Sequence, residues 1–102
     1  MTQEQIQYLV GCAKTCKRVY RNTGKMPHHS KIIMTNGYTL SGGHNIDVRE
    51  DCTKDWDIFL QELVDNGMFR VARIRPNKIE YSFTSLNIVE QILSIYDVPY
   101  EQ

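Results

Sequence analysis

The stretch 69–83 constrains this chain more than any other. Phe69 and Val71 alternate with Arg70 and Ala72, Arg75-Pro76-Asn77-Lys78 reads as a turn, and Ile79, Tyr81 and Phe83 alternate with Glu80 and Ser82. Side chains on a strand point to opposite faces with period two, so the pattern predicts a two-stranded antiparallel ribbon. A lone ribbon is marginal in water, so its apolar face has to be covered by a helix or by further strands. Tyr81 and Phe83 are the residues that pin it to a core, and the other face is left to carry charge.

Helices on both sides can supply that cover. Over 53–66, Trp56, Phe59, Leu60, Leu63 and Val64 recur at helical spacing, with Thr53 expected as the cap and Asn66-Gly67 as the stop. Over 85–96, Leu86, Val89, Ile92, Leu93 and Tyr96 do the same behind an expected Thr84 cap, and Val98-Pro99-Tyr100 closes the chain. A first helix is predicted over 2–23. Thr2 and Gln5 form a capping-box pair. Ile6, Leu9, Val10, Ala13, Cys16 and Tyr20 make its apolar face, and Gly24 with Pro27 beyond it ends it. The first and last helices are expected to pack together.

Residues 25–50 carry weaker signals. Lys31-Ile32-Ile33-Met34-Thr35 is rich in strand formers, Asn36-Gly37 is a strong hairpin turn, and Tyr38-Thr39-Leu40 returns. Ser41-Gly42-Gly43-His44-Asn45 reads as a loop, and 45–51 alternates loosely with Ile46 and Val48 on one side. With 102 residues, no repeat and no linker, the chain reads as a single domain over 1–102.

The order from Thr53 to Tyr96 is helix, Asn-Gly stop, basic ribbon, helix. Leu60-Gln61-Glu62-Leu63-Val64-Asp65-Asn66-Gly67-Met68-Phe69-Arg70 resembles the recognition helix and first wing strand of winged-helix regulators. Pro76-Asn77-Lys78-Ile79-Glu80-Tyr81-Ser82-Phe83-Thr84 is similar to the second wing strand of the HxlR-type and PadR-type families. The resemblance covers residues 53–96. It implies an α+β fold, a divergent winged helix-turn-helix with an additional N-terminal β-hairpin. It also implies double-stranded DNA as partner, and a homodimer through the first and last helices. Two departures accompany it. The helix at the recognition position is acidic, and the hairpin over 31–40 occupies the place of the first helix-turn-helix members.

Twelve Lys and Arg balance twelve Asp and Glu, which excludes a uniformly basic coat or a uniformly acidic one. The charges are nonetheless segregated. Arg70, Arg73, Arg75 and Lys78 crowd the ribbon, and Lys14, Lys17, Arg18, Arg21 and Lys25 crowd the end of the first helix. Asp47, Glu50, Asp51, Asp55, Asp57, Glu62 and Asp65 make the middle acidic. The leading expectation is a non-enzymatic DNA-binding or regulatory protein. Its ribbon cations Arg70, Arg73, Arg75 and Lys78 contact phosphates, and Lys54 approaches the major groove. The alternative is a small protein-binding inhibitor of the kind encoded by phages and mobile elements. It would dock through Asp51, Asp55, Asp57 and Glu62. In size and character, with no shared motif, this is similar to anti-CRISPR proteins.

Other chemistry is weakly supported. Cys12 and Cys16 lie on or beside the apolar face of a helix, where small buried hydrophobes are the simpler role, and paired Cys-x-x-Cys knuckles are absent. His28-His29 follows Pro27 in an expected loop with no partner carboxylate indicated by spacing. Gly42-Gly43 lacks the lysine and the strand–loop–helix setting of a phosphate loop. No catalytic residue, metal or cofactor is therefore expected. The N-terminus has neither the basic start nor the apolar core of a signal peptide, and no run is long enough to span a membrane, so a cytoplasmic location is expected.

Overall fold

The computed structural model describes residues 1–43 and 45–97. His44 and the closing Val98-Pro99-Tyr100 lie outside the described residues. The elements are α1 (Gln3–Thr23), β1 (His29–Met34), β2 (Gly37–Ser41), β3 (Ile46–Arg49), α2 (Thr53–Asp65), β4 (Phe69–Arg75), β5 (Lys78–Phe83) and α3 (Leu86–Tyr96). A single 3-10 turn at Glu50–Cys52 leads into α2. The class is α+β: three helices and one antiparallel sheet of five strands in the order β3-β2-β1-β5-β4. No helix among the described residues is long and apolar enough to cross a membrane.

The ribbon forms where its alternation predicts, as β4 and β5. The 31–40 hairpin also forms, but it is not an appendage. It starts two residues earlier, at His29, and β1 pairs with β5, so hairpin and ribbon are halves of one sheet. Residues 46–49 add a third strand beside β2. The described residues between α1 and α2 thus make a three-stranded meander where a helix-turn-helix would place helices.

Local chemistry sets the helix ends. At α1, Thr2 accepts from the Gln5 backbone while the Gln5 side chain accepts from the Thr2 backbone, and Gly24 closes the helix in the left-handed region. Two expected caps move by one residue. Cys52, not Thr53, holds the cap position of α2 without a side-chain bond, because the preceding 3-10 turn already orders the chain and Thr53 Oγ1 donates back to the Glu50 carbonyl. Ser85, not Thr84, caps α3. Thr84 Oγ1 donates instead to the Gly67 carbonyl, tying the end of β5 to the turn before β4.

Directly opposed residues of an antiparallel sheet share a face. One face presents His29, Tyr38, Leu40, Ile46, Val48, Phe69, Tyr81 and Phe83, all buried. Trp56, Phe59, Leu60 and Leu63 of α2 join that core, and Asp57 of α2 reaches down to Lys31 and Tyr38. The buried side of α1 is Gln5, Tyr8, Leu9, Cys12, Ala13 and Cys16. That side keeps Leu9, Ala13 and Cys16 of the expected stripe but is rotated around the helix: Ile6 and Val10 are half-buried and Tyr20 is exposed, while Tyr8 packs edge-on to Trp56 and Phe59. Helix α3 packs on α1, as expected, with ion pairs from Lys14 to Asp97 and from Lys17 to Glu90. The helices therefore lie on one side of the sheet.

A candidate nucleic-acid interface

The opposite side of the sheet is polar, and its β4–β5 corner is cationic. In the ladder Arg70 faces Ser82, Arg73 faces Glu80, and Arg75 faces Lys78. Lys78, Glu80 and Ser82 alternate along β5 and so share one face, which places Arg70, Arg73, Arg75 and Lys78 on that face together. Strict period two along β4 would have split them, with Arg70 on one side and Arg73 and Arg75 on the other. The register shifts between Val71 and Arg73, so Ala72 is an inserted bulge residue that resets the alternation. All three arginines are exposed and Lys78 is half-buried. Because β4 is an edge strand, the corner is open from the side as well as from the face.

Among the described residues a single carboxylate, Glu80, interrupts this corner of the face. His28 Nδ1 lies 3.0 Å from Glu80 Oε1, and Lys78 Nζ lies 3.5 Å from Oε2. Partial burial pushes the Glu80 carboxyl up, but the His28 hydrogen bond and the Lys78 charge outweigh it, and the net shift is downward. Glu80 is therefore held ionised beneath the cations. The pairing of His28 with Glu80, 52 residues apart, has no trace in local spacing. Period-two alternation into β1 separates the two histidines expected in a loop. His28 faces the polar side, and His29 is fully buried in the core.

The remaining predicted residues sit elsewhere. Lys54 is exposed on the first turn of α2, in the helical layer, across the sheet from the ribbon cations. Asp57 is committed to structure: its Oδ1 accepts from Lys31 Nζ at 2.8 Å and from Tyr38 Oη at 2.9 Å. Asp51 pairs with Arg49 at the sheet end, which holds its carboxyl below the usual range. Asp55 and Glu62 are brought together, on the rim of a cleft of about 340 Å³ between α2 and the start of α1. Met1, Ile58 and Phe59 are among its lining residues.

Cys12 and Cys16 are both buried on α1, with Cys16 Sγ 3.8 Å from Met26 Sδ, and burial pushes the Cys16 thiol up. Among the described residues no three His, Cys, Asp or Glu side chains converge as a metal site would require. Comparison with protein-family models, with curated proteins and with solved structures finds no match.

Proposed function

We propose that this chain is a non-enzymatic regulatory protein that binds the phosphate backbone of double-stranded DNA through the β4–β5 ribbon. The observation that carries this reading is the alignment of Arg70, Arg73, Arg75 and Lys78 on one open sheet face across the Ala72 bulge. Phosphate contacts of this kind fix position and orientation without reading sequence. The α2–β4–β5–α3 order supports a divergent winged-helix reading in which the ribbon is the wing. Helix α2 lies across the sheet from the cations and carries Asp55 and Glu62 on its exposed surface, so the wing, not α2, supplies this affinity. Fluorescence polarisation with a random duplex over a salt series tests the reading. Each neutralised phosphate contributes about 0.9 to the slope of log affinity against log salt, so Arg73→Ala/Arg75→Ala flattens that slope by nearly two. Absence of salt-dependent binding to any duplex at low ionic strength refutes it.

The cleft rimmed by Asp55 and Glu62 favours a second reading, an inhibitor of a cationic partner protein. In that case Asp55→Asn/Glu62→Gln abolishes partner binding and the ribbon arginines are indifferent. Asp57 is unsuitable for this test because its loss disturbs Lys31 and Tyr38.

A further inference from the structure

Nine of the chain's twelve lysines and arginines lie in two clusters, the ribbon's four and a second group on the later turns of α1 and just past its end. Lys14, Arg18 and Arg21 follow one another at spacings of four and three, which is one face of the helix, with Lys17 beside them and Lys25 just past the Gly24 stop. At about 100° per residue this stripe lies nearly diametrically across α1 from its buried side, Tyr8, Leu9, Cys12, Ala13 and Cys16. It therefore faces away from the core, whereas the ribbon cations face away from it on the other side of the sheet. Within α1 only Glu4 is acidic. Asp97 and Glu90 of α3 engage Lys14 and Lys17. Arg18, Arg21 and Lys25 are exposed and enter no ion pair among the described residues, and Arg18 and Arg21 border a shallow depression of about 390 Å³ between α1 and α3. Neutralising the helix C-terminus accounts for a cation in the last turn such as Arg21. It does not account for a stripe that begins about two turns earlier, at Lys14.

We infer that the α1 stripe is a second phosphate-binding surface and that the protein bridges two duplex segments, one on the ribbon and one on α1. This rests on the ribbon reading above. The two surfaces are on opposite sides of a body measuring 40 × 29 × 23 Å. DNA stays nearly straight over such lengths, its persistence length being about 500 Å, so one short duplex cannot lie along both. Zero net charge fits bridging. The acidic middle keeps free molecules from being uniformly cationic, while each basic surface remains locally attractive within a Debye length of about 10 Å.

A capture assay tests the inference. A biotinylated random duplex of about two helical turns is fixed to beads. An unlinked fluorescent duplex and the full chain are added at ~50 mM salt, and single-duplex binding is followed in parallel by polarisation. The wild type carries the fluorescent duplex onto the beads. Arg18→Ala/Arg21→Ala, two exposed changes that leave the circular dichroism spectrum intact, drops capture to bead background while ribbon binding in polarisation persists. Arg73→Ala/Arg75→Ala drops capture as well. Wild-type binding without capture overturns the bridge and leaves the ribbon reading standing. Capture that survives Arg18→Ala/Arg21→Ala also overturns it, since a dimer presenting two ribbons then does the joining, and light scattering shows that dimer's mass. No duplex binding at all refutes the ribbon reading, and the bridge falls with it.

Discussion

Lowering the pH from 7 to 5 destabilises this fold through one side chain, His29. Its ring lies nearly parallel to Phe69 at a centroid distance of 6.0 Å and edge-on to Phe83 at 5.4 Å. Nδ1 donates to the Gly42 carbonyl at 2.9 Å, which fixes the neutral tautomer, and Nε2 is buried with no hydrogen-bond partner among the described residues. Among the described residues a proton on Nε2 meets no acceptor. Burial accordingly pushes the His29 pKa down to about 4, the Gly42 bond only partly opposing it. In the unfolded chain the imidazole titrates near 6.5. Between those values the unfolded state holds the proton and the native state does not, so acid favours unfolding. The stabilisation is complete above pH ~6.5, falls as the pH drops, and is exhausted near pH ~4, where both states are protonated. Worked through, the loss is about 2 kcal/mol by pH 5 and about 3 kcal/mol in full. The carboxylates with lowered values, Glu80 and Asp51, add their own losses only as the pH falls below the ordinary carboxylate range, so the window from 7 to 5 belongs to the histidine. Urea unfolding at intervals across that window measures it. His29→Asn keeps a donor near the Nδ1 position, sacrifices the ring packing at a cost of about 2 kcal/mol, and removes the titration. Its stability should be lower at pH 7 and nearly flat to pH 5. A flat wild-type profile, or an equal slope in His29→Asn, refutes the reasoning.

Other consequences are more local. A Cβ on Gly43 would lie 2.7 Å from the Cys12 Cα, backbone against backbone, so Gly43→Ala should cost about 1–3 kcal/mol in urea unfolding by lifting the β2–β3 loop off α1. Deleting Ala72 should leave duplex affinity and salt slope unchanged in polarisation, because the pairings of Arg73 with Glu80 and Arg75 with Lys78 survive without the bulge residue. Glu80→Gln removes the carboxylate that sits among the ribbon cations, so duplex binding should tighten and the salt slope steepen by up to about one. Asp57→Asn should lower stability by about 1 kcal/mol without reducing duplex binding, since its partners are Lys31 and Tyr38 on the core side of the sheet.

What could be read from the chain, and what could not, divides by how far the deciding interaction reaches. The capping box at Thr2, the Gly24 stop and the α2 stripe are settled within four residues, and each is where the sequence predicts it. The pairing of β1 with β5 joins residues about fifty apart, and no local pattern specifies it. Without that pairing, His28 and His29 read as a loop pair rather than as one polar-face residue and one core residue. The same limit governs the candidate site. Four cations within nine residues are visible in the sequence, but counting by two assigns Arg70 to one face and Arg73 and Arg75 to the other. Only the ladder, with Arg70 opposite Ser82 and Arg73 opposite Glu80, shows that an extra residue has been absorbed and that the charges converge. Ala72 is the residue that the bulge absorbs, yet an alanine in a strand announces nothing by itself. Composition therefore located the charge, while its convergence on one face of the ribbon is a property of strand register.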